Sequence, residues 1–215
     1  MPEGSGTKAA GRAASYDWAP TFNAAPSQML PIIRTYATVR FEFARWGFWP
    51  EEWERSKRSH PMINAPLETA SEKPMFASSF SGRHCLVLAD GYYAWRTIGK
   101  HKQPYRITLK TGEPFAMAGI YAREPPDLDT AEKNPVNFAI LTTKATEAVS
   151  YIHDRMPVIL PLSREKEWLQ PPPTSAHFIP PISAEFLTSY PVTPKMARAT
   201  FNEPEAVAPL EPALQ

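Results

Sequence analysis

Proline constrains this chain more than any other feature. There are 25 prolines in 215 residues, spread along the sequence rather than gathered in one tract. A proline fixes φ and donates no backbone hydrogen bond, so it interrupts helices and interior strands. At well above the usual share of about 5%, the pattern predicts many short elements joined by stiff turns. Apolar residues make up 43% of the chain, enough for a sizeable core, and the length suits one large domain.

Between the prolines the dominant period is that of strands. Ile32, Ile33 and Tyr36 form one apolar run, and Val39, Phe41 and Phe43 alternate with Arg40, Glu42 and Ala44. A hairpin over 29–48 is therefore expected. Further strands are predicted at Cys85–Ala89, at Tyr92–Trp95 after the Asp90-Gly91 turn, at 103–110 and 114–121 around Lys110–Glu113, and at Val136–Thr143. Short helices are predicted from Thr69 or Ser71 to about Phe80, from Thr143 to Val149, and at Ser163–Leu169 and Ser183–Leu187. The fold class expected is α+β, with a curled, mostly antiparallel, barrel-like sheet and short flanking helices. Residues 1–15 read as a flexible segment, 16–200 as the domain and 201–215 as a tail.

The net charge is +1, from 23 basic and 22 acidic residues. Whole-molecule attraction to nucleic acid is thus weak, although residues 1–160 hold the basic excess and a local basic groove remains open. The single cysteine, Cys85, makes no internal disulfide and no zinc-ligand cluster. No run approaches the roughly 20 apolar residues of a membrane span, and the N-terminal residues lack the apolar centre of a signal peptide. A cytoplasmic monomer without cofactor or metal is the expectation.

Phosphate-cradling glycine loops, GxSxG and HExxH are absent, and none of the five histidines pairs with another at zinc-ligand spacing. His153 precedes Asp154 and Arg155 and an apolar strand. It has two readings, a proton carrier at the mouth of a sheet or a loop-fixing hydrogen bonder. Asn64, before Pro66, either holds a substrate oxygen with its amide or satisfies a turn. Trp46, Gly47 and Trp49, with Trp53, stand beside Arg45, Arg55, Lys57 and Arg58. Rings next to positive charge suit single-stranded nucleic acid, and equally suit core packing beside a solvated charge run. Cys85 reads as a small core residue, since His84 would point to the opposite face of the same strand.

Taken in order, several runs resemble the SRAP (SOS response-associated peptidase) family. They are Phe22-Asn23-Ala24-Ala25-Pro26, Arg45-Trp46-Gly47-Phe48-Trp49-Pro50, Ile63-Asn64-Ala65-Pro66-Leu67-Glu68-Thr69 and Arg83 through Trp95. Lys102–Tyr105, Ala116–Ile120, Ile140–Thr143 and Ile152–Leu160 continue the likeness. The resemblance implies a single α/β domain associated with abasic sites in single-stranded DNA. In that family a cysteine freed by loss of the initiator methionine captures the opened sugar aldehyde as a thiazolidine. By resemblance, Asn64 positions the sugar and His153 moves a proton at its hydroxyl. Arg155 shapes the pocket, Trp46, Gly47 and Trp49 contact bases, and Arg12 matches an arginine of the N-terminal motif.

The departures are as informative. Ala10 stands where the family has its cysteine, Ala94 where it has the active-site glutamate, and Pro66 where it has an arginine. A methyl group neither attacks an aldehyde nor carries a proton. The expected function is therefore binding of single-stranded or junction DNA without thiazolidine formation. The competing readings are a residual abasic-site lyase or autopeptidase, and a non-catalytic structural or partner-binding protein.

Overall fold

In a computed structural model, the residues described are 19–36, 38–50, 60–123, 136–170, 180 and 182–210. Their strands follow in chain order as β1 (Met29–Tyr36), β2 (Thr38–Trp46), β3 (Asn64–Pro66), β4 (His84–Ala89), β5 (Tyr92–Ile98) and β6 (His101–Leu109). Then come β7 (Phe115–Arg123), β8 (Val136–Lys144), β9 (Arg155–Pro157), β10 (Ile159–Leu160) and β11 (Leu187–Pro191). Three short helices interleave with them: α1 (Leu67–Ala70), α2 (Pro74–Phe80) and α3 (Leu162–Trp168). The alternating run at 38–46 does form the expected hairpin, with β1 antiparallel to β2 from Met29↔Arg45 to Tyr36↔Thr38.

The α+β class holds, but the expected barrel-like, mostly antiparallel sheet is corrected. The strands divide between an eight-stranded mixed sheet and a separate three-stranded sheet ordered β11-β6-β5. Parallel pairing enters the large sheet at β8, which runs parallel to β2 at Trp46↔Phe138 and to β3 at Asn64↔Ile140. It runs antiparallel to β7 and β9. Strands β6 and β7, predicted on either side of one turn, belong to different sheets. β6 pairs with β5 and β11, whereas β7 pairs with β4, β8 and β10.

Burial explains why β7 and β8 carry near-continuous apolar runs. On β7, Phe115, Met117 and Tyr121 enter one core cluster, and Ala116, Ala118, Ile120 and Ala122 enter another. On β8, Val136, Phe138 and Ile140 face the first cluster while Ala139 and Leu141 face the second. A sheet covered on both sides has no solvated face to demand polar alternation. Fully burying a side chain such as Phe138 stabilises the fold by about 1.5–3 kcal/mol. Gly119 permits the close approach of β4 to β7, since a Cβ there would lie 2.8 Å from the Cys85 Sγ.

The helices are shorter than predicted. The stretch 69–80 splits in two because Pro74 starts a new helix, and the N-caps are Pro66 and Lys73 rather than Thr69 or Ser71. Residues 147–152 form turns in place of a helix. Residues 201–210, read as a tail, lie against the body. Phe201 and Ala206 pack with Val192 and Met196, and Asn202 Oδ1 accepts from the backbone N–H groups of Phe22 and Asn23. Buried Asn23 closes this corner by donating its amide to the carbonyls of Met196, Arg198 and Phe201.

Candidate functional site

A dense polar constellation gathers at the C-terminal end of β8. Thr142 lies between β3 and β9, opposite Pro66 on one side and Pro157 on the other. Two segments about 90 residues apart in sequence thereby meet across a single strand. Both are held by backbone pairing, so their side chains are presented from a rigid base.

On the β3 side the Trp46–Trp49 run acts as a brace. The Trp46 indole N–H donates to Ile63 O at 2.9 Å, next to Asn64. Phe48 exchanges backbone hydrogen bonds with Met62, and Trp49 N–H donates to the side-chain oxygen of buried Asn137. Gly47 has φ +149°, and a Cβ there would press on Pro61 at 3.1 Å. Trp49 is only 8% exposed and Trp46 is half-buried. These rings therefore sit in and under the fold, while Asn64 is exposed at the start of β3.

On the β9 side, Arg155 carries the densest network. Its Nη1 and Nη2 donate to the two Glu68 carboxylate oxygens at 2.8 Å each, a bidentate pair. Nη2 also donates to Thr142 O at 2.6 Å and lies 3.2 Å from Thr142 Oγ1. Thr143 Oγ1 donates to Glu68 at 3.2 Å. The Arg155 hydrogen bonds hold the Glu68 carboxyl well below its ordinary range, down to about 2. Glu68 stays ionised at any physiological pH, and both terminal nitrogens of Arg155 stay engaged.

His153 projects from the turn ahead of β9, anchored by buried Val149 and Ile152. Its Nδ1 accepts the Arg155 backbone N–H at 3.0 Å, and the same nitrogen lies 3.0 Å from Asp154 Oδ1. One nitrogen cannot accept from the backbone and donate to the carboxylate at once. Arg155 O lies 3.2 Å from the same nitrogen, so Nδ1 is held by its own turn in either tautomer. The ring is about half exposed.

Tyr151 joins this turn to the smaller sheet. Its hydroxyl pairs with Ser189 Oγ at 2.8 Å, its ring meets Tyr105 edge-on, and the Arg96 guanidinium lies over it at 5.4 Å. Ala94 pairs with Tyr105 in the same sheet and packs half-buried against the core. An open cleft of about 670 Å³ is lined by Pro66, Glu68, Thr69, Lys73, Lys144, Asp154 and Arg155.

Asn64, His153 and Arg155 are therefore carried by elements that flank the end of β8. Ala10, Arg12 and Trp53 lie outside the described residues. Cys85 is fully buried, and burial pushes its thiol far up, so it is no nucleophile. Sequence reasoning assigned no role to Glu68, Thr142, Lys73 or Lys144. The hint for Glu68 was its place in the family-like run Ile63–Thr69, four residues after Asn64. Its partner is 87 residues away and no local pattern could name it. Among the described residues no three His, Cys, Asp or Glu side chains are grouped to hold a metal, and no helix is long and apolar enough to cross a membrane.

Comparison with known proteins gives the family. Abasic site processing protein YoqW of Bacillus subtilis (strain 168) is 38% identical over 198 residues, covering 89% of this chain and 87% of that one. YoaM of the same organism is 38% identical over 184 residues, covering 82% and 79%. A crystal structure of a protein from Bacteroides thetaiotaomicron superposes with a TM-score of 0.74 at 30% identity, covering 86% of this chain and 82% of that one. The profile of the family described as SOS response associated peptidase (SRAP) matches residues 5–199. The chain belongs to that family.

Proposed function

We propose that this protein binds single-stranded or junction DNA, including strands with abasic sites, in the cleft at the end of β8. Family membership and relatives named for abasic-site processing support the substrate class. The observation that carries the reading is the meeting of the Glu68–Arg155 pair at Thr142, with Asn64 on β3 and His153 ahead of β9, the two strands that flank this end of β8. An exposed amide and a half-exposed imidazole are the groups that would meet the hydroxyls of an opened sugar.

Chemistry beyond binding is limited by the residues present. The Cys85 thiol is sealed in the core, and Ala94 offers no proton where the resemblance places a glutamate. A thiazolidine needs an amine and a thiolate on one residue, and Cys85 is the only cysteine in the sequence. We infer reversible binding rather than permanent capture.

Fluorescence anisotropy with a single strand, a duplex and a 3′-recessed junction, each at low and high salt, tests this reading. We expect salt-sensitive binding that favours the single strand or the junction. Equal or absent binding to all three would remove it. A heat-stable adduct with abasic single strands would overturn the reversible part.

A further inference from the structure

The five charged side chains lining the cleft fall into two kinds. Glu68 is paired bidentately with Arg155, and Asp154 turns Oδ1 toward His153 Nδ1 at 3.0 Å. Lys73 and Lys144 are exposed, line the same cleft, and have no carboxylate partner among the described residues. Lys73 stands at the start of α2, and Lys144 ends β8 opposite Arg155. Their ammonium groups come from two separate elements, each held by backbone structure close to its Cα.

The arginine fork would ordinarily be the better phosphate ligand. Here its two-nitrogen end is occupied, since Glu68 takes one N–H from each terminal nitrogen and Thr142 takes Nη2 again. An anion seeking that bidentate edge would have to displace a carboxylate that stays ionised and is already held at 2.8 Å by both nitrogens. The lysines impose no such competition. Each is a solvated point charge with three rotatable donors, able to reach a phosphate that passes the cleft.

We propose that Lys73 and Lys144 form the phosphodiester seat of this cleft, with Arg155 acting as a positioning residue locked to Glu68. This rests on the cleft being the nucleic-acid site and assigns its backbone contacts. The anion is held by two lysines, so it is recognised by charge rather than by fork geometry. The seat therefore carries no base preference of its own.

The test uses the full chain and two probes, inorganic phosphate followed by amide chemical shifts, and a fluorescent single-stranded oligonucleotide followed by anisotropy across a salt series. Lys73→Gln, Lys144→Gln and their combination are compared with Lys166→Gln, an exposed lysine that does not line the cleft. We expect phosphate to shift amides in residues 67–73 and 144–155, and the double variant to lose that response. With the oligonucleotide, each cleft substitution should lower the slope of log K against log salt by about 0.7, and Lys166→Gln should leave it unchanged. Phosphate shifts that persist in the double variant, or that never appear, overturn the proposal. So does an oligonucleotide slope that the double variant leaves intact. Phosphate binding that depends on both lysines, without any oligonucleotide binding, would uphold the anion seat while removing the nucleic-acid function.

Discussion

His84 and His153 lie in regions that treat the same side chain in opposite ways. His84, 5% exposed at the start of β4, has Nδ1 2.9 Å from Trp168 O and Nε2 2.7 Å from Phe80 O. Its ring stacks on Trp168 with centroids 3.9 Å apart and planes within 3°. Both nitrogens face the protein, and the ring ties β4 to α2 and α3. His153 spends one nitrogen on its own turn and leaves the rest half exposed beside the cleft. The lesson is that a ring enclosed by carbonyls works as a clasp. A ring held at one nitrogen by its own turn and half exposed ties no two elements together.

The sharpest way to break this comparison is to empty the clasp. Trp168→Ala removes the stacking partner and the indole N–H that donates to Cys85 O. We expect it to cost about 3–5 kcal/mol by urea denaturation, with oligonucleotide affinity retained by the folded fraction. A comparable loss of affinity at constant fold would mean that the two regions are coupled. Trp46→Phe should follow, at about 1–2 kcal/mol, because Ile63 O loses its indole donor. Since that bond braces the strand carrying Asn64, binding should weaken as well, and unchanged binding would free Asn64 from the brace.

Glu68→Gln should cost about 1 kcal/mol or less, because the pair is partly exposed and screened. Its pH dependence has a definite sign. The folded-state carboxyl is held near 2, below the ordinary value of 4.5, so the unfolded chain takes up the proton first as pH falls. The stability difference between wild type and Glu68→Gln should be constant above about pH 5 and fade between about 4.5 and 2. A difference that fades near neutrality would contradict the pairing. The same substitution should release the Arg155 fork, giving a steeper salt dependence of oligonucleotide binding.

The smallest stability effect should come from His153→Ala, within about 0.5 kcal/mol of wild type by denaturation. Its effect should appear in binding to abasic strands. A stability loss as large as that of His84→Ala would place His153 among the clasps after all.

Much was legible in the chain before folding. Strand periodicity marked the β1–β2 hairpin, and the apolar runs marked β4, β7 and β8. Runs of motif residues in order marked the family. The roles of Asn64 and His153 came from resemblance, and the structure places their elements on either side of one strand. The tryptophans read differently once folded. Sequence placed rings beside basic residues, a pattern that suits bases and cores alike, and only burial distinguishes a brace from a stacking platform.

What the sequence by itself determined is therefore local: where backbone can be extended, where proline stops it, and which chemical groups the chain owns or lacks. Tertiary structure alone decided the mixed direction of the large sheet, the assignment of β6 and β7 to different sheets, and the pairing of Glu68 with Arg155. The physical reason is range. Periodicity and turn chemistry act over a few residues, whereas an ion pair or a strand register across 87 positions depends on which surfaces come to share a core.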